Sequence, residues 1–421
     1  MAAFRRYSTD ALQGRETVLL TGVVLLALAS RVAVALLTRS WIFSEADHFK
    51  AYGFEMGAIG ASIAMGDGFA WPAWGRFPGE PTAWMAPVYP WLVGLAFKAF
   101  GVYSEQAAVV LELFQTVVSV LSCVLLYLIG KRVYGPRAGL LAALMFALYP
   151  ASIHFAVQKI WSTTLFVFCL LAIAYLFMRM ADHPSLKIGV TLGALVGFTA
   201  LLEVTILAVV PFALVWLWFV NRKHGQRVLG PVTAMLLVSG LVILPWLVRN
   251  YTVFGHVTFI KSNFGKVFYE GNKDLATSDV SAPQVFLEGE NEAQYNRFFL
   301  ARVVDQVLDH PLQFVERTVV RVANFWTMNR VPAGLGQRIA LMVYLGVLLL
   351  AIGGLIKSTF NRDLVLVLLF LLALPLVYYI TISYHGRYRY PIEPLLMLPA
   401  AHFLLVLWRR IVGGSPATVS L

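Results

Sequence analysis

The stretch from Ser44 to Pro90 decides how the rest of the chain is read. It runs Ser44-Glu45-Ala46-Asp47-His48, Tyr52-Gly53-Phe54-Glu55-Met56, Gly66-Asp67-Gly68-Phe69, Glu80-Pro81-Thr82-Ala83-Trp84 and Pro87-Val88-Tyr89-Pro90. Carboxylates, aromatics and turn residues crowd together in it. It is too polar and too glycine-rich to be a membrane span, yet it lies between hydrophobic spans.

The remaining composition explains that setting. The chain has 421 residues, 59% hydrophobic and 13% charged, with a mean hydropathy of +0.74. Soluble domains carry about a quarter charged residues, so this composition is that of a polytopic membrane protein. The net charge of +11 gathers at loop turns and forms no Lys/Arg block in a soluble segment, which argues against nucleic acid as a partner. Cys123 and Cys169 fall in apolar runs and make no disulfide or metal pattern.

Arg5, Arg6 and Arg15 precede the first apolar run, which is too long for a cleaved signal peptide and reads as a signal anchor. Apolar length and Lys/Arg placement predict an all-α protein of about ten spans with both termini cytoplasmic. The spans fall at about 17–37, 107–129, 138–154, 161–178, a short pair within 189–220 folded at Glu203, then 228–247, 339–356, 363–382 and 391–408. The apolar run from Val88 to Phe100 is too short to span and reads as interfacial or re-entrant. Three regions follow: a transmembrane region over 1–248 carrying the first outer loop, 44–90; a second outer loop with amphipathic helices over 249–338; and a transmembrane region over 339–421.

Acids at the membrane edge are the first chemical signal. If 47–64 is helical, Asp47, Ala51 and Glu55 follow an i, i+4, i+8 series on roughly one face. Each acid is either a solvated loop carboxylate or a general base poised to take a proton from an acceptor hydroxyl. Nearby Tyr52, Trp71, Trp74 and Trp84 suit a sugar platform or a plain interfacial aromatic belt. Glu112 and Glu203, within or at the ends of spans, are functional suspects by position.

Cations on the outer side are the second signal. Arg387 and Arg389 sit in Arg387-Tyr388-Arg389-Tyr390-Pro391 at the outer start of the last span. Read as an extended segment, the two arginines point the same way. Arg249, Lys266 and Lys159 also lie on the outer side, against the positive-inside trend. They either snorkel or pair with loop acids, or they bind phosphate, whose oxygens a guanidinium fork matches. The histidines are scattered, no zinc pattern appears, and there is no P-loop, GxGxxG or Gly-x-Ser-x-Gly element. No cofactor is implied, and metal dependence is left open.

An external base, an external phosphate clamp and a wall of membrane helices suit sugar transfer from a lipid-phosphate carrier. Phosphate is already a good leaving group, so one carboxylate and a cationic clamp suffice.

The chain also resembles the GT-C membrane glycosyltransferases, specifically the family of protein O-mannosyltransferases and the lipid A aminoarabinose transferase with its bacterial relatives. The resemblance covers about residues 17–408. It is carried by the acidic first loop with Gly66-x-Gly68-Phe69, Pro81-Thr82-Ala83-Trp84, Pro87-Val88-Tyr89-Pro90 and Phe100-Gly101. Further along come Pro245-Trp246-x-x-Arg249-Asn250-Tyr251, Phe254-Gly255, Gly271-Asn272, His310-Pro311, Phe325-Trp326 and the Arg387–Pro391 motif. It implies a polyprenyl-phosphate-sugar donor, an inverting transfer to a lipid, glycan or protein hydroxyl, a first-loop carboxylate base, and a bacterial inner membrane with the active site facing outward. Glu55 is the acid nearest the family's register and Asp47 the alternative. Arg387, Arg389, Arg249, Lys266, Lys159 and Tyr89 are the residues expected to bind substrate. Many relatives carry an acid near the start of the fourth span, where this chain has Ser162-Thr163, and an Arg where Glu203 falls.

A lipid or sugar-lipid transporter is the alternative, and a non-catalytic envelope partner a third class. An enzyme requires Asp47 or Glu55 in one pocket with Arg387 or Arg389 and Lys266. A transporter would place its charges nearer the bilayer midplane.

Overall fold

The computed structural model describes residues 2–43, 51–73, 77–224, 227–273, 291–327, 334–382 and 386–412. Asp47, with Glu45 and His48, lies outside the described residues. Those described form helices and turns, with one isolated bridge between Ala70 and Pro81.

Among the described residues eight helices are long and apolar enough to cross a membrane: Gly14–Thr38, Glu105–Tyr134, Thr163–Asp182, Val204–Arg222, Leu229–Phe254, Leu335–Ile356, Arg362–Ile380 and Gly386–Val412. A bent pair, Pro136–Ala147 and Pro150–Val157 at 53°, makes up to nine. The tenth span expected from sequence is the helix Leu186–Ala200, which has only 15 residues. At 1.5 Å per residue it reaches about 22 Å, short of a hydrocarbon core of roughly 30 Å. Its glycines explain its place. A Cβ on Gly189 would lie 2.3 Å from the Pro231 carbonyl, and one on Gly193 2.5 Å from the Met235 carbonyl. Bare backbone at i and i+4 therefore lets it lie directly along Leu229–Phe254. The expected boundary between residues 248 and 249 falls inside this latter helix.

The bend at Pro150 is satisfied from within. Proline has no N–H for the carbonyl four residues earlier, and Ser152 Oγ stands 2.7 Å from that Phe146 oxygen. The Ala147 carbonyl accepts from Arg31 Nη1 at 2.7 Å, and Arg31 also donates to Ser119 and Ser152. Arg31, an intramembrane cation with no exposure, thus serves the break in a neighbouring span.

Two short helices of the first outer loop, Phe54–Met65 and Val88–Phe100, cross closely at glycines. A Cβ on Gly60 would lie 2.7 Å from Val93 Cγ1, and one on Gly94 2.7 Å from Ile63 Cγ2. The second outer region contributes helices Phe264–Asn272, Glu292–Asp309 and Pro311–Thr327. It is fastened to the first loop by Glu292, a buried carboxylate. Glu292 accepts from Trp71 Nε1 at 2.9 Å, Thr82 Oγ1 at 2.6 Å, the Ala83 N–H at 2.8 Å, and the Ser262 hydroxyl. Four donors offset the cost of burying the charge. The two outer loops therefore form one layer over the spans.

Candidate active site

Between that outer layer and the ends of the spans lies a cavity of about 620 Å³. Glu55 enters it from the first turn of helix Phe54–Met65. The helix starts there because Gly53 adopts φ +64°, where a side chain would be strained and a Cβ would stand 3.3 Å from Trp161 Nε1. The continuous helix expected over 47–64 is therefore broken among the described residues: Ala51 precedes a bend at Tyr52-Gly53, so Ala51 and Glu55 do not share one helix face. Glu55 is half-buried, and among the described residues its carboxylate has no hydrogen-bond or ion-pair partner.

Arg387 lines the same cavity. Its Nη2–H donates to Tyr388 Oη at 2.9 Å, and its guanidinium lies 4.9 Å from the Tyr388 ring centre and 5.4 Å from that of Trp161. Glu55 and Glu203 both act on it electrostatically. A guanidinium held by rings, with one hydrogen bond given among the described residues, suits a phosphate.

Lys266 also reaches the cavity, paired with Glu270 at 2.6 Å and 5.7 Å from the Trp84 ring centre. Glu203 lines the cavity as well, as do Ser162 and Thr163.

The other expected residues are placed elsewhere. Arg389 is buried, bonded to Glu393 at 2.7 Å and to the Phe325 carbonyl at 3.2 Å, with its guanidinium 3.3 Å from the Tyr344 ring centre. The extended segment expected at 387–389 is instead a helical turn, Gly386–Arg389. Residues two apart on a helix diverge by about 200°, so of this pair Arg387 faces the cavity and Arg389 does not. Arg249 clamps the first loop, donating to the carbonyls of Thr82 at 2.6 Å and Phe69 at 2.8 Å, and lies 4.8 Å from the Trp246 ring centre.

Lys159 sits 5.5 Å from the Trp161 ring centre but does not line the cavity. Tyr89 is buried and donates to Gln115 Oε1 at 2.8 Å; Gln115 in turn holds the carbonyls of Ala156 and Lys159. Glu112 is buried away from the cavity, accepting from Ser40 Oγ at 2.7 Å.

Sequence reasoning missed Lys261, Glu270, Asn296 and Arg297, which line the cavity from the second outer region. The signal available was the segment Asn263-Phe264-Gly265, which Lys261 and Lys266 flank.

Comparison with known proteins agrees with this architecture. The chain shares its fold with two solved membrane transferases, named below. The family model for dolichyl-phosphate-mannose-protein mannosyltransferases matches residues 84–248. The structure is similar to the oligosaccharyltransferase AglB of the archaeon Archaeoglobus fulgidus. In complex with an inhibitory peptide and a dolichol-phosphate, that protein superposes with a TM-score of 0.57 at 17% identity, covering 96% of this chain and 52% of that one. Its apo form gives 0.59 at 15% identity, with the same coverage of 96% and 52%. The structure is also similar to ArnT of Cupriavidus metallidurans bound to undecaprenyl phosphate, with a TM-score of 0.51 at 18% identity, covering 91% of this chain and 61% of that one. The chain thus spans about half the length (52%) of the archaeal enzyme. No curated protein matches the sequence.

Proposed function

We propose that this protein is a membrane glycosyltransferase that moves a sugar from a polyprenyl-phosphate carrier to an acceptor hydroxyl, at the outer face of a bacterial inner membrane. The observation that carries this is the convergence of Glu55, Arg387 and Lys266 in one cavity between the outer layer and the span ends. Glu55 takes the proton of the acceptor hydroxyl; the oxygen attacks the anomeric carbon from the face opposite the carrier. The bond to the carrier oxygen breaks, and its electron pair leaves with the phosphate. The anomeric centre inverts. Arg387, with Lys266, holds the phosphate as its charge grows, which lowers the barrier where the charge develops. Asp47 is the alternative base.

A transporter would hold its charges near the bilayer midplane; here the charged cavity is roofed by the outer loops, which favours transfer. The test is release of free polyprenyl phosphate from a panel of polyprenyl-phosphate sugars by the purified protein in nanodiscs, supplied with envelope extract as acceptor. Sugar-dependent release supports the reading. Binding of every donor with neither release nor transfer would overturn it.

A further inference from the structure

The cavity holds more positive charge than the proposed transfer uses. The transfer assigns Arg387, and Lys266 with its partner Glu270, to the carrier phosphate. Two further cations, half-buried Lys261 and exposed Arg297, line the same cavity. Among the described residues, neither side chain has a hydrogen-bond or ion-pair partner.

Their backbones are locked to one another. Lys261 lies between Ile260, whose carbonyl accepts from Trp246 Nε1 at 2.9 Å, and Ser262, whose hydroxyl bonds the buried Glu292. Arg297 follows Asn296, whose Oδ1 accepts from the Gly265 N–H at 2.6 Å. A Cβ on Gly265 would stand 2.2 Å from the Asn296 carbonyl, so the two segments touch backbone to backbone. Two cations lining one cavity both favour the approach of an anion. Asn263, beside them in the cavity, offers an amide suited to sugar hydroxyls.

We infer that Lys261 and Arg297 form a second anion subsite, and that it takes the phosphate or carboxylate of an acidic saccharide acting as acceptor. The inference rests on the glycosyl transfer proposed above. The anion belongs to the acceptor because of where the two cation sets stand. Arg387 begins the span Gly386–Val412, where a carrier's apolar chain must lie. Lys261 and Arg297, like Lys266, belong to the region between the spans Leu229–Phe254 and Leu335–Ile356, outside the described spanning helices, so of these four cavity cations Arg387 is the one carried by a span.

The test uses the full chain in nanodiscs loaded with polyprenyl monophosphate. Saturation-transfer NMR then measures binding of glucose 6-phosphate, glucuronate, glucose and an acidic serine-containing peptide. The two acidic sugars should bind and glucose should not. The Lys261→Ala/Arg297→Ala double variant should lose about tenfold or more of the acidic-sugar affinity, as expected for charge-assisted contacts, and keep its affinity for polyprenyl monophosphate. Arg387→Ala should do the reverse.

Equal binding of glucose and glucose 6-phosphate, an unaffected double variant, or preference for the acidic peptide would overturn the subsite while leaving the transferase reading intact. So would displacement of the sugar phosphate by polyprenyl pyrophosphate, which would assign these cations to the carrier. Failure of the wild-type protein to bind polyprenyl monophosphate at all would count against the transferase reading itself, and this proposal would fall with it.

Discussion

Thr82 donates its hydroxyl proton to the Glu292 carboxylate at 2.6 Å, joining residues 210 positions apart in the chain. The contact fastens the second outer region onto the first, and with it the cations of the cavity onto the wall that carries Glu55. Removing the carboxylate leaves four buried donors unsatisfied. Glu292→Ala should therefore lower unfolding stability by about 2–4 kcal/mol, and Thr82→Val by about 1 kcal/mol. Denaturant unfolding of the detergent-solubilised protein, followed by tryptophan fluorescence, checks both.

The glycine face of Leu186–Ala200 makes a second expectation. Gly193→Leu puts a side chain where the Met235 carbonyl stands 2.5 Å from a bare Cβ. The helices must part, at a cost of about 1–3 kcal/mol or more. Gly240→Ala, with nothing within 4 Å of its Cβ, is the matched control and should leave the melting temperature within a degree or two. Equal melting temperatures for the two variants would contradict the close approach.

Arg387 and Arg389 should separate cleanly. Arg387→Ala should stay folded and lose about 10- to 150-fold in polyprenyl phosphate affinity, the worth of a charge-assisted contact of roughly 1.5–3 kcal/mol. Arg389→Ala removes the cation paired with buried Glu393, leaving its bond from Tyr149, and should destabilise the fold by about 3–5 kcal/mol. Ligand binding and thermal unfolding, measured on both variants, test the split. Weakened carrier binding by a well-folded Arg389→Ala protein would contradict it.

The topology is testable in cells. Glu80 is exposed in the first outer layer and Lys357 follows the span Leu335–Ile356 at its other end. A Glu80→Cys protein should react with an impermeant thiol reagent in intact cells, and a Lys357→Cys protein only after the membrane is opened. Labelling in the opposite order would invert the map.

Much of this arrangement was legible in the sequence, and the exceptions have physical causes. Apolar length marked the spans, and acids and cations on the disfavoured side marked Glu55, Arg387 and Lys266, which one cavity unites. From sequence, Arg387 and Arg389 read as an extended pair, in which a two-residue spacing gives one face; in the helical turn found it gives opposite faces. Hydropathy alone does not show that Gly189 and Gly193 bring the short helix Leu186–Ala200 against its neighbour. The role of Glu292 has no local signal, since its four donors come from the distant Trp71, Thr82, Ala83 and Ser262. Lys261 and Arg297 lay in a long polar region where no local pattern separates a site cation from a solvated one.

The role of Glu55 is tested most directly by its neutral amide. Glu55→Gln and Asp47→Asn proteins, each matched to wild type for folding and polyprenyl phosphate binding, are assayed for transfer of labelled sugar from polyprenyl-phosphate donors into envelope fractions of cells lacking the protein. We expect Glu55→Gln to bind the carrier as wild type does and to transfer about 10²- to 10⁴-fold more slowly, the usual loss on removing a general base. Asp47→Asn should transfer near normally. Near-normal transfer by Glu55→Gln would contradict the assignment.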